Sequence, residues 1–162
     1  HSSTRRQRQM CIRDRSRREK RVDGIQCFYG DEQIDSSLMD ADIVVLLLPD
    51  TPLTQNILNK HTLNLLKRGA FVLNPGRGPL IDDDALLVAL DSGQIEHATL
   101  DVFRIEPLPK NHQYWSNNKV TVIPHKASET RPKTASQVIA MNIERAENGQ
   151  ELLYLVDREN GY

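Results

Sequence analysis

Residues 41–49 read Ala-Asp-Ile-Val-Val-Leu-Leu-Leu-Pro, and the unbroken apolar run within them constrains the fold more than any other stretch of the chain. The run does not alternate, is rich in β-branched side chains and stops at a proline. That pattern suits a strand buried on both faces of a parallel sheet. It is far shorter than the ~20 apolar residues that a membrane-crossing helix needs.

Similar strand-like and helix-like segments flank this run. Residues 31–38 are predicted as a short polar helix, and residues 61–67 as a helix that stops at Gly69. Residues 70–74 are predicted as a strand closed by the Gly-Pro loop 75–79. Asp82, Asp83 and Asp84 suit the start of a helix that ends at Gly93. Residues 97–103 and 119–124 are predicted as two further strands. Pro132 opens a long helix to about Asn148, with Ala135, Val138, Ile139, Asn142, Ile143 and Ala146 on one face and Gly149 behind it. This order predicts an α/β fold with a doubly wound parallel sheet. Ligands of such sheets bind at the carboxyl ends of the strands. Segments 49–54, 74–78, 101–106 and 124–128 begin at those ends, so the four can converge on one crevice.

The 162 residues suffice for one domain with a core but are short for two. No apolar signal-peptide core lies near the N-terminus. Cys11 and Cys27 make neither a disulfide framework nor a metal-ligand cluster, so no metal is expected and the default setting is reducing and cytoplasmic. The formal net charge of −1 conceals an asymmetry: residues 1–21 hold nine Arg/Lys against two Asp/Glu. Such an arm could contact nucleic-acid phosphates. Residues 1–15 contain no aromatic side chain for base stacking, so a disordered or foreign arm is expected there and a nucleic-acid partner is not.

Four side chains at the strand ends could carry chemistry. Arg77 sits in a Gly-Arg-Gly turn, where its guanidinium could clamp a carboxylate and polarise a neighbouring carbonyl, or merely be solvated. His125 follows a strand and a proline; it could exchange a proton near neutral pH, or be structural like other histidines. Glu106 lies in the proline-stiffened Arg-Ile-Glu-Pro-Leu-Pro and is either an imidazole partner or an exposed loop acid. Asp101 could accept a hydrogen bond from a nicotinamide carboxamide or cap the following turn.

In order along the chain, LLLPDTPLTQNILN, FVLNPGRGPLIDDDALLVALDSGQI, ATLDVFRIEPLP, VTVIPHKA and the ending VDRENGY resemble the D-2-hydroxyacid dehydrogenases, within them the branch that reduces glyoxylate and hydroxypyruvate. The resemblance runs from about Ser16 to Tyr162. It implies a Rossmann-like fold, a homodimer, and NAD(P)H-dependent reduction of a small 2-keto acid. Arg77 matches the substrate-binding arginine, His125 the acid/base and Glu106 its carboxylate partner. Asp101 matches the carboxamide ligand, and Leu48, Pro49, Thr54, Pro75, Gly76, His125 and Ala127 lie along the cofactor. Trp115 matches a tryptophan near the active site, or is a packed aromatic. Ser16, Arg17 and Arg18 match the end of the strand that reads the adenosine ribose, where basic residues accommodate a 2′-phosphate. NADP(H) is therefore expected ahead of NAD(H).

The family's glycine-rich phosphate-binding turn should precede Ser16, yet the first glycine is Gly24. The expected division is an arm at 1–15, a partial NAD(P)-binding domain at 16–130, and a helix and tail at 131–162 that returns toward an absent substrate domain. The first strand and the glycine-rich turn are expected to be missing. An N-terminally truncated fragment, catalytically inert or serving as an interaction module, is the alternative to an active enzyme. Phosphoglycerate, formate and lactate-type substrates stay open within the same fold.

Overall fold

The computed structural model describes residues 11–158; the first ten residues of the expected arm and the last four of the chain lie outside that span. Six strands and four helices alternate as β1 (Arg13–Ser16), β2 (Gln26–Tyr29), α1 (Ile34–Leu38), β3 (Ile43–Val45), α2 (Lys60–Leu65), β4 (Ala70–Asn74), α3 (Asp83–Asp91), β5 (Ile95–Leu100), β6 (Val120–Val122) and α4 (Pro132–Glu147). Short 3-10 turns at Gly78–Leu80 and Gln113–Trp115 complete the set. All strand pairing is parallel, in a sheet β3-β4-β5-β6 and a separate pair β1-β2. This is the Rossmann-like α/β architecture that the alternation of segments predicts.

The core lies under one face of the larger sheet. Val44, Val72, Ala98 and Val120 share one register row. Beneath it pack Leu63 of α2 and Leu86, Ala89 and Leu90 of α3, the last three at helical spacing. Val72, Leu86 and Leu90 are fully buried, each contributing roughly 1.5–3 kcal/mol. The helices are pinned at their starts. The Asn59 side chain accepts N–H groups of His61 and Thr62 while Thr62 Oγ1 accepts the Asn59 N–H, a reciprocal capping box. Asp82 accepts the Ala85 N–H at 3.0 Å, and Asp83 and Asp84 follow in the first turn, where the helix dipole favours acids.

Several expectations are corrected. β3 is buried on one face only: Val44 and Leu46 are 7% exposed, whereas Ile43, Val45 and Leu47 are 53%, 50% and 74% exposed. The exposed row continues onto Phe71 and Leu73, because α2 and α3 pack on the opposite face. The strand expected over 97–103 spans Ile95–Leu100 instead, since Asp101 diverts the chain through hydrogen bonds described below. β1 begins at Arg13, so the expected boundary at residue 15 falls inside a strand paired to β2. Helix α4 forms with Pro132 in its first turn and Gly149 at φ 64° behind it, yet none of its residues is fully buried: Ala135, Val138 and Asn142 of the expected face are half-buried, and Ile139, Ile143 and Ala146 are exposed. Among the described residues, no helix is long and apolar enough to cross a membrane.

Candidate active site

The carboxyl ends of β4, β5 and β6 lie side by side because the strands are adjacent and parallel. Each end carries one of the candidate side chains.

At the end of β4, buried Asn74 folds its amide back over the turn: Oδ1 accepts the Gly76 N–H at 3.1 Å and Nδ2 donates to the Arg77 carbonyl at 2.9 Å. The glycines on either side of Arg77 are demanded by crowding. A Cβ on Gly76 would sit 2.7 Å from the Leu46 carbonyl oxygen, and one on Gly78 would sit 2.0 Å from the Phe103 carbonyl carbon. Arg77 is thus exposed on a rigid base. Its Nη1 donates to the Gly76 carbonyl at 2.7 Å, which leaves the remaining guanidinium donors without a side-chain hydrogen bond among the described residues.

At the end of β5, Asp101 is 3% exposed. Its N–H donates to the Asn74 carbonyl, its carbonyl accepts the His125 N–H, and its two carboxylate oxygens accept the N–H groups of Lys126 (2.7 Å) and Ala127 (3.0 Å). One residue therefore ties the ends of three strands together. A buried carboxylate so satisfied is a charge-assisted anchor.

Beyond β6, His125 has φ 50°, in the left-handed region that a residue with a Cβ enters at a cost of about 1–2 kcal/mol. Its Nδ1 lies 2.8 Å from Glu106 Oε2. A carboxylate only accepts, so Nδ1 carries the proton and Nε2 is the nitrogen left for exchange. Glu106 Oε1 accepts the Phe103 N–H at 2.9 Å. The Phe103 bond first, and the His125 bond second, hold the Glu106 carboxyl below the usual carboxylate range, against the smaller opposing effect of burial.

The other expected positions are dispersed around this edge. Leu48 and Pro49 are half-buried where the chain leaves β3. Thr54 braces the loop that follows, donating to the Pro49 carbonyl at 2.6 Å and accepting the Thr51 N–H at 2.9 Å. Pro75 is half-buried and Gly76 buried within the braced turn. Ser16 ends β1, in the other sheet, and its hydroxyl donates to the Arg18 carbonyl, with Arg17 and Arg18 exposed. Trp115 is 55% exposed and donates to the Pro109 carbonyl, which corrects the reading of it as a packed aromatic. Asn74 was not singled out by the sequence; its signal is an amide that ends an apolar run directly before Pro-Gly.

An exposed guanidinium and an imidazole-carboxylate pair, on the same carboxyl edge of a parallel sheet, can hold a carboxylate and move a proton. The parallel sheet with its flanking helices is the Rossmann-like architecture of a dinucleotide-binding domain. Residues 7–127 match the family described as "D-isomer specific 2-hydroxyacid dehydrogenase, NAD binding domain", and the chain belongs to that family. It is 39% identical over 151 residues to glyoxylate/hydroxypyruvate reductase A of Yersinia enterocolitica, a match that covers 93% of this chain and 48% of that protein. A D-isomer specific 2-hydroxyacid dehydrogenase from Xanthobacter autotrophicus, solved with NADPH and MES, superposes with a TM-score of 0.90 at 44% identity, over 93% of this chain and 62% of its own. An NADPH-dependent glyoxylate/hydroxypyruvate reductase from Sinorhizobium meliloti, solved with NADP and sulfate, gives 0.88 at 31% identity, over 93% of this chain and 49% of its own. The chain spans about half the length of the curated relative it matches.

Proposed function

We propose that this chain is the cofactor-binding part of a reductase that converts a small 2-keto acid of the glyoxylate/hydroxypyruvate type to the 2-hydroxy acid, with NADPH preferred and NADH possible. The observation that carries the reading is the 2.8 Å pair of His125 Nδ1 and Glu106 Oε2, on the same sheet edge as Arg77.

In this reading Arg77 binds the keto acid through its carboxylate and steadies the negative charge that builds on the carbonyl oxygen. His125 donates the Nε2 proton to that oxygen, and Glu106 stabilises the imidazolium before transfer and keeps the ring oriented. The nicotinamide supplies the hydride when the cofactor is bound. The donor set fits that group: Ser16, Arg17 and Arg18 offer a hydroxyl and two guanidinium groups suited to a 2′-phosphate. Leu48, Pro49, Thr54, Pro75, Gly76 and Ala127 would border the cofactor. Asp101 would take the carboxamide on carboxylate lone pairs that the Lys126 and Ala127 N–H groups leave over. Residues 131–162 would lead back to the rest of a longer protein. A homodimer and a cytoplasmic setting go with the reading.

The test joins this chain to the complementary half of a homologous reductase and follows NADPH consumption with glyoxylate and hydroxypyruvate. Turnover should appear and should fall by at least ~100-fold in Arg77→Ala and in His125→Ala. Undiminished turnover in either variant defeats the assignment.

A second reading is favoured by the apolar row of Ile43, Val45, Leu47, Phe71 and Leu73, which is exposed here. It makes the chain as it stands an inert piece or an interaction module. Micromolar NADPH binding by the 162-residue chain, read by nucleotide fluorescence, counts against it.

A further inference from the structure

Arg104 sits midway between Asp101 and Glu106, on the loop that presents the carboxylate to His125. Its side chain does not point toward that pair's hydrogen bonds. Nη2 donates to the Ile81 carbonyl at 2.6 Å and to Asn56 Oδ1 at 2.6 Å, and reaches the Pro79 carbonyl at 3.4 Å. Nε lies 3.9 Å from Asp83 Oδ2, and Asp83 Oδ1 accepts the hydroxyl of buried Tyr114 at 2.9 Å.

These partners belong to the segment that follows the Arg77 turn and to the start of α3. Pro79 and Ile81 lie just beyond Arg77, and the Asn56 N–H itself donates to the Pro79 carbonyl. Beneath the guanidinium the two loops meet backbone to backbone: a Cβ on Gly78 would lie 2.3 Å from the Arg104 nitrogen. One residue earlier, the Phe103 N–H donates to Glu106 Oε1. The guanidinium is therefore bonded to the arginine-bearing loop, while its own backbone neighbour grips the carboxylate.

We propose that Arg104 is a positioning residue that locks the Glu106 loop onto the Arg77 loop and so sets the acid/base pair against the substrate-binding arginine. Its planar guanidinium sets Nη2 on the acceptors and Nε toward Asp83 in one fixed geometry, which a lysine ammonium on a flexible stem does not reproduce. The catalytic consequence rests on the proposed function, whereas the locking itself does not.

The lock is tested on the 162-residue chain by carbon-detected NMR titration of the Glu106 carboxyl, whose charged neighbours are His125 and Asp101. In Arg104→Gln the Phe103 N–H should loosen its hold, and the Glu106 titration should move up toward that of an ordinary glutamate. Arg104→Lys should show an intermediate shift. Asn56→Gly removes one short acceptor from the far side of the lock while keeping the positive φ of 52° accessible. It should move Glu106 in the same direction by less, and it keeps the test alive if Arg104→Gln fails to fold. A Glu106 titration unchanged across the folded variants overturns the lock, even if they are less stable. In the joined enzyme, Arg104→Gln should lower kcat roughly tenfold or more with little change in KM for NADPH. An inactive wild-type joined enzyme would count against the proposed function and leave the NMR result standing.

Discussion

His125 Nδ1 and Glu106 Oε2 meet at 2.8 Å although both side chains are partly open to solvent, and the contact is held from both sides. Glu106 is gripped by the Phe103 N–H, and the imidazole is aimed by a left-handed backbone whose N–H is bound to Asp101. An ion pair this exposed adds little to stability by itself. Its value is in orientation.

The sign of the pH dependence follows from the lowered Glu106 carboxyl. A carboxyl whose pKa is depressed by folding stabilises the fold above its ordinary value near pH 4.3, and that contribution is lost as pH falls through the depressed value. The stability gap between wild type and Glu106→Gln should therefore be open at neutral pH and close on acidification. Urea midpoints measured across the acid range check this; a gap that stays constant there contradicts the linkage.

Asp101 should matter more to the fold than any other polar residue of the site. Asp101→Asn puts an NH2 group opposite one of the two N–H donors that the carboxylate now satisfies, in a residue only 3% exposed. The expected loss is about 1–3 kcal/mol by denaturant unfolding, with faster amide exchange at Lys126 and Ala127. A substitution that leaves both measurements unchanged removes Asp101 as the anchor.

Much of this edge was legible in the sequence because the chemistry sits where strands stop. Pro49, the Pro-Gly pair after Asn74, and Pro124 mark those stops, and β4 and α4 fall where their punctuation puts them. Two of the failures share one physical origin. Burial depends on what covers a face, and local pattern does not report that. The apolar run through β3 reads as doubly covered, yet Leu47 is 74% exposed; the residues on one face of α4 read as an apolar stripe, yet Ile139 and Ile143 are exposed. Asp101 reads as part of the strand predicted over 97–103, and its backbone N–H does continue the ladder to Asn74, while its side chain ends the strand by capturing the next loop. Arg104 gave no signal at all, since its hydrogen-bond partners are the Pro79 and Ile81 carbonyls, 25 and 23 residues away, and the Asn56 side chain, 48 residues away.

The two glycines around Arg77 should differ in tolerance. A methyl group at Gly78 meets the Phe103 and Arg104 backbone at 2.0–2.3 Å, and backbone cannot swing aside as a side chain can. At Gly76 the nearest atom, the Leu46 carbonyl oxygen, is at 2.7 Å. Overpacking of this kind costs roughly 1–3 kcal/mol or more. Gly78→Ala should be the more damaging, and it should perturb NMR shifts at Phe103 and Glu106, which Gly76→Ala leaves close to wild type. Equal spectra for the two variants would show that the loops are not in backbone contact.

Cofactor preference tests the basic residues after β1. Serine and two arginines provide a hydroxyl and fixed positive charge where the adenosine ribose is expected, so they favour a 2′-phosphate through charge-assisted hydrogen bonds. Replacing Arg17 and Arg18 together by glutamate reverses that charge and sets an acid beside the ribose hydroxyls. NADPH affinity should fall by at least ~10-fold, a loss of about 1.4 kcal/mol, while NADH affinity holds or rises. The ratio of the two dissociation constants is the informative quantity, because a general loss of folding lowers both together. A ratio that does not move toward NADH separates these arginines from the 2′-phosphate and leaves the proton chemistry at His125 untouched.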